Sequence, residues 1–275
     1  PDAAEQIKKL GQNGEPPTGV YLIPEAQRVY PQGEFAARIV GVANYEGTGI
    51  AGVEAFYDDA IKGITGTLEA ERSGSIDQQP IWIAPQQIVE PQDGQDVKLT
   101  IDSTVQKIVE DELKKVIEEQ QAEGGTIMVM DPSNGEILGM ATWPRFDPNK
   151  YTEYAPEVIN SNNALTNVYE PGSTMKVLVT AIGLQTGAFT PDTTVNDGGS
   201  IFRYGYNLSN ATGAGGGATT PAQMLYRSSN VAALQFGEMI GTENFYKYIK
   251  LLGYGQLTGI DLGGEGEGLV RWPDE

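Results

Sequence analysis

Ser173-Thr174-Met175-Lys176 follows Tyr169-Glu170-Pro171-Gly172 and opens an apolar run that reads as a helix. Residues three apart share one face of a helix, so the Ser173 hydroxyl and the Lys176 amine can meet. A serine hydroxyl is a weak nucleophile at neutral pH and needs a base within hydrogen-bond reach. The chain has no histidine and no cysteine, which leaves Lys, Tyr, Asp and Glu as bases. A lysine in water titrates at about 10.4. Burial lowers that value and frees a lone pair for the hydroxyl proton. The pair therefore suits acyl transfer, with Ser173 as nucleophile and Lys176 as base. At a helix N-terminus the Ser173 amide could also donate to a developing oxyanion.

Ser-x-x-Lys alone occurs by chance in many long chains. Here it sits at a Pro-Gly turn before an apolar helix, and a second polar cluster, Ser228-Ser229-Asn230, precedes another helix downstream. The Ser228 hydroxyl could relay a proton between the lysine and a leaving nitrogen. The Asn230 amide could hold the lysine and bond a substrate amide. The competing role for this cluster is a helix N-cap, and the two roles are compatible. Ser229 and Trp143 are carried as substrate-contact candidates, although the aromatic-proline loop Trp143 to Pro148 is more often structural.

Other acidic residues read as structural. Asp102 caps a helix; Glu110, Asp111, Glu118 and Glu119 fall on its solvated side. Gly213 to Gly217 is followed by no Gly-Lys-Ser or Gly-Lys-Thr, so it is not a phosphate loop. No cluster suggests a metal, and no cofactor is expected.

The elements that must position these groups follow from periodicity and breakers. Residues 1–90 form a mixed segment. In it, 36–41 is strand-like or briefly helical, 47–52 is a glycine-rich loop, and an amphipathic helix spans 53–61, with Gly63 at its end. Pro, Gln, Asp and Gly mark a connector over 71–96, with a domain boundary near residue 92. Val97 to Ile101 alternates as a strand. Asp102 then starts a helix with apolar positions Val105, Ile108, Val109, Leu113, Val116 and Ile117, stopped by Gly124-Gly125. Two strands, 126–130 and 136–142, are joined by an Asn134-Gly135 turn. Helices over 175–185 and 230–240 end at Gly187 and Gly241. Thr219-Thr220-Pro221 opens one more, after a polar, glycine-rich stretch at 196–218. The pattern is α+β, helices packed on an antiparallel sheet.

Composition narrows the partners. With 18 basic and 37 acidic residues the net charge is −19, which opposes binding to nucleic acid or to anionic lipid. No run of about 18 apolar residues is present to span a bilayer.

On these motifs the chain resembles the penicillin-binding protein and serine β-lactamase superfamily, and within it the class B penicillin-binding proteins. Gly49 to Asp58 and Tyr30 to Ala37 look like their pedestal domain. Leu99 to Gln106, the hairpin Val129 to Leu138, and Ala141 to Asn149 are similar to the start of their transpeptidase domain. The resemblance implies a pedestal at 1–91 and the N-terminal part of a transpeptidase domain at 92–275. Ser173 becomes the acylated nucleophile, Lys176 its base, and Ser228 with Asn230 the second motif. It implies cross-linking of stem peptides ending in D-alanyl-D-alanine, and covalent capture of β-lactams. Implied partners are cell-wall synthesis proteins, and the place is the outer face of the bacterial cytoplasmic membrane, reached through an N-terminal anchor helix not in this chain. The family's Lys-Thr-Gly strand is not among these residues. The expectation is a companion chain or a longer parent carrying it, with the piece inactive alone. A β-lactamase or β-lactam sensor, and a non-enzymatic scaffold, are the alternatives.

Overall fold

A computed structural model describes residues 2–11, 14, 16–17, 19–20, 22, 27–70 and 86–273. The chain is α+β and divides into two compact units, 1–164 with 261–264 and 165–260 with 265–275.

The first unit is organised by the helix Ser103–Gln120 lying on the hairpin Gly125–Met130 and Ile137–Trp143. Asp102 accepts from the Thr104 and Val105 amides at 2.8 and 2.9 Å, and Gln121 ends the helix in the left-handed conformation. The strands pair antiparallel from Gly125 opposite Trp143 to Met130 opposite Ile137, across a turn where Gly135 has φ 82°. Val109, Leu113 and Ile117 bury against Ala141, flanked by Ile127, Val129 and Trp143.

Two members of the expected apolar stripe, Ile108 and Val116, are exposed, and the polar Gln106 and Glu110 are buried instead. Glu110 is thus not a surface charge. Gln106 bonds both backbone groups of Met140, donating to its carbonyl and accepting from its amide, each at 2.8 Å. Glu110 accepts from Gln106 and from the Ala36 amide at 2.8 Å, and from Arg145 at 3.3 Å. The helix therefore turns these two side chains inward to serve backbone groups that would otherwise lack partners.

Residues 36–61 pack against the same unit. Ala37–Val40 is a single helical turn, and Ala37, Val42 and Ala51 bury with Phe146 and Ile159. Gly49–Ala51 is a strand rather than a loop. Gly41 and Gly52, at φ 78° and 61°, let the two backbones cross; a Cβ on Gly41 would lie 1.8 Å from the Ala51 carbonyl oxygen. The expected 53–61 helix is two, Gly52–Phe56 and Asp58–Ile61, broken where Tyr57 leaves helical dihedrals.

Within the expected connector, residues 71–85 lie outside the described set, and Gln86–Val89 is a strand paired with Thr67–Ala70. Val97 to Ile101 is not a strand. Beside the hairpin Thr100 Oγ1 donates to the Ile137 carbonyl at 2.7 Å and the Asp102 amide to the Leu138 carbonyl at 2.9 Å. No ladder develops, so alternation there marks extended backbone only.

In the second unit the helices Met175–Thr186 and Asn230–Ile240 enclose Ile182, Phe189, Met224, Ala232, Phe236 and Ile240. The Phe189 and Phe236 rings are 4.7 Å apart, and burying each contributes about 2–3 kcal/mol. Gly183 makes room for Phe189, whose ring would lie 2.0 Å from a Cβ there. Thr242–Leu251 is a further helix. The stretch 196–218 holds the hairpin Ser200–Arg203 with Tyr206–Ser209, and Val195–Asp197 pairs with Gly217–Thr219.

Replacing Glu110 with Leu strands the Ala36 amide and takes one acceptor each from Gln106 and Arg145. Urea unfolding of E110L is expected to show a loss of about 3 kcal/mol, against less than about 0.5 kcal/mol for E118L on the exposed face. Equal stabilities for the two variants would refute the buried role.

Candidate active site

Ser173 lies in a 3-10 turn, Gly172–Thr174, that runs directly into the Met175–Thr186 helix. Gly172 at φ 60° starts the turn, and Thr174 Oγ1 closes it on the Pro171 carbonyl at 2.8 Å. One turn later the Lys176 side chain returns to Ser173, with Nζ 3.1 Å from Oγ.

The second motif comes from the junction of two helices. Thr220 and Gln223 form a capping box at the start of Pro221–Arg227. That helix ends at Ser228, whose φ of 54° and ψ of 41° reverse the chain. The reversal aims both the carbonyl and the hydroxyl of Ser228 at Lys176, at 2.6 and 3.0 Å from Nζ. Ser228 Oγ also donates to Ser173 Oγ at 2.8 Å. Asn230 begins the next helix and brings Oδ1 to 2.7 Å from Nζ. Its amide orientation is fixed, because Nδ2 donates to the Ser209 carbonyl at 2.9 Å.

Four oxygens thus surround one buried amine. Two of them, on the Ser228 carbonyl and the Asn230 amide, can only accept. The other two belong to hydroxyls that can donate or accept. A neutral amine satisfies this set by donating its two protons to the acceptors and turning its lone pair to a hydroxyl. Among the described residues no carboxylate lies within ion-pair distance of Lys176. Burial pushes its pKa below the ordinary lysine value.

Ser173, Lys176, Ser228 and Asn230 therefore form one cluster. Ser229 does not face it. Its side chain is 1% exposed; the hydroxyl caps the following helix by accepting from the Ala232 amide at 3.0 Å and donates to Asn210 Oδ1 at 3.2 Å. Both partners lie within the fold, which corrects its assignment as a substrate contact. Trp143 belongs to the other unit, where its ring packs on the 103–120 helix cluster with the Arg145 guanidinium 5.8 Å from its centroid. Sequence reading missed Asn210, whose Oδ1 accepts from the Asn230 and Val231 amides at 2.9 and 3.1 Å. The only local signal was its place in a Ser-Asn-Ala-Thr-Gly turn.

Comparison with known proteins identifies the family of the chain. The family described as penicillin binding protein transpeptidase domain matches residues 125–273. Stage V sporulation protein D of Bacillus subtilis is 36% identical over 276 residues, covering 98% of this chain and 41% of that protein. Peptidoglycan D,D-transpeptidase FtsI of Escherichia coli K12 is 30% identical over 281 residues, covering 100% of this chain and 45% of that protein. The chain spans less than half the length of either relative. The crystal structure of penicillin binding protein 3 from Mycobacterium tuberculosis complexed with aztreonam superposes with TM-score 0.78 at 28% identity, covering 90% of this chain and 51% of that one.

The surroundings of Lys176 imply a titration below the ordinary lysine value. NMR titration of the isotope-labelled side chain, assigned by its loss in K176M, checks this. A midpoint at or above the ordinary value would mean that the four oxygens hold the ammonium more strongly than burial disfavours it.

Proposed function

We propose that this chain, which belongs to the penicillin-binding protein transpeptidase family, carries the acylating half of a serine D,D-transpeptidase that cross-links peptidoglycan. The observation that carries the reading is the Lys176 amine, 3.1 Å from Ser173 Oγ and committed to two acceptor-only oxygens. Ser173 Oγ attacks the carbonyl between the two terminal D-alanines of a stem peptide, and its proton passes to the Lys176 lone pair. The resulting ammonium donates three hydrogen bonds, to the Ser228 carbonyl, to Asn230 Oδ1 and to a hydroxyl. Ser228, 2.8 Å from Ser173 Oγ and 3.0 Å from Nζ, is placed to return that proton to the leaving D-alanine nitrogen. An amine on a neighbouring strand then attacks the acyl-enzyme, reversing the proton path and restoring the neutral lysine. A β-lactam follows the first half of this route, but its ring nitrogen stays tethered to the acyl group and the ester persists.

Residues 1–91 act in this reading as a pedestal and 92–275 as part of the transpeptidase domain. The substrate lies outside the cytoplasmic membrane. Among the described residues no helix is long and apolar enough to cross a bilayer, so attachment there would depend on other segments or on partner proteins of cell-wall synthesis. The Lys-Thr-Gly element, absent from these residues, would bind the substrate carboxylate.

In the full-length protein, a fluorescent penicillin is expected to label Ser173 in stoichiometric amount, with all label lost in S173A. K176M should slow acylation by roughly 10²–10⁴-fold, the worth of general base catalysis. Steady turnover of a chromogenic cephalosporin would instead indicate a β-lactamase. Undiminished labelling of S173A would overturn the nucleophile assignment, and normal growth of cells carrying only S173A would favour a scaffold.

A further inference from the structure

Asp197 is a charged side chain only 2% exposed, and it touches none of the four reactive groups. Its partner is Asn210, at the end of the Tyr206–Ser209 strand. Asn210 Nδ2 donates to both Asp197 carboxylate oxygens, at 2.9 and 3.1 Å, and to the Ala214 carbonyl at 2.9 Å. The Asn210 backbone amide is fixed on the Gly199 carbonyl at 2.9 Å, and Asp197 Oδ1 accepts from the Gly199 amide at 3.0 Å. With Nδ2 held this way, the amide of Asn210 can face in one direction only. Oδ1 then meets the first turn of the 230–240 helix, accepting from the Asn230 and Val231 amides and from Ser229 Oγ.

We infer that Asn210, oriented by Asp197, is a positioning residue that sets the register of Ser228 and Asn230 against Lys176. This rests on the function proposed above and names a part of the machinery that neither motif contains. Adjacent to it, the Ser209 carbonyl holds the Asn230 side chain, so residues 209 and 210 grip Asn230 by side chain and backbone together. Asparagine is the residue type this requires. A leucine would leave the helix amides without their acceptor and the carboxylate without its side-chain donor, and an aspartate would set one anion against another while losing the donor. Burial opposes the charge on Asp197, but donors from Gly199, Asn210 and Gly216 outweigh it and hold the pKa below the ordinary carboxylate range. The anchor therefore stays ionised near neutral pH.

The test separates placement from folding. Acylation of the full-length protein by a fluorescent penicillin is resolved into prior binding and the first-order acylation constant, with the labelled amplitude counting folded molecules. For N210L, N210D and D197N the acylation constant of the folded fraction is expected to fall on the order of a hundredfold, the effect of about 1 Å of misplacement, with binding little changed. The reciprocal variant D197N/N210D restores a donor facing an acceptor, though not the bond to the Ala214 carbonyl, and should recover part of the rate. An unchanged constant with reduced amplitude, or a double variant no faster than the slower single, would overturn the inference. If the unaltered protein is not acylated at Ser173, the proposed function fails instead. The positioning role is then decided by a crystal structure of N210L: displaced Lys176 contacts to Ser228 and Asn230 support it, and retention of all of them overturns it.

Discussion

An amine enclosed by uncharged oxygens is the constraint on which the second unit is built. Lys176 is buried with no described carboxylate beside it, so removal from water works against its charged form. It cannot be left without partners either, because a buried polar group lacking hydrogen bonds costs several kcal/mol. The fold meets both demands with carbonyl and hydroxyl oxygens. They support the ammonium when it forms without attracting it as strongly as an anion would.

Holding four oxygens around one nitrogen requires distant parts of the chain to stay in register. The Met175–Thr186 helix carries the lysine, and the junction at 228–230 carries three of the oxygens. The aromatic core between them, with Phe189 against Phe236, sets the helix spacing. The turn at 209–210 holds the start of the 230–240 helix through the backbone amide and side chain of Asn230. Hydrophobic packing is non-directional and can set a distance. Directional bonds to backbone groups are what set a register.

What the sequence made legible follows the same division. The Ser173–Lys176 contact, the helix caps at Asp102 and Thr220, the hairpin turn at Asn134-Gly135 and the stop at Gly187 each depend on residues within one or two turns of each other. Local spacing carries such information, and the family the motifs resemble is the one that matches residues 125–273. Features that depend on distant partners were not legible. Glu110 follows the same charged spacing as its exposed neighbours and is buried because the Ala36 amide, 74 residues away, needs an acceptor. Val97 to Ile101 has a strand's alternation but no ladder partner. Ser229 looks as available as Ser228, and only the left-handed turn between the helices sends one hydroxyl to the lysine and the other into the fold. Asn210 carries no signature of its own, since its role exists only through Asp197 and a helix start twenty residues on.

The backbone conformation of Ser228 limits which chemistry can replace it. At φ 54° the residue occupies a region that a branched Cβ strongly disfavours. Threonine offers the same hydroxyl and the same carbonyl, yet its methyl group penalises the dihedrals that here present both to one nitrogen. Conservation of a functional group and conservation of a shape are separate requirements at this position. A lineage could retain the alcohol and still lose the geometry that makes it useful.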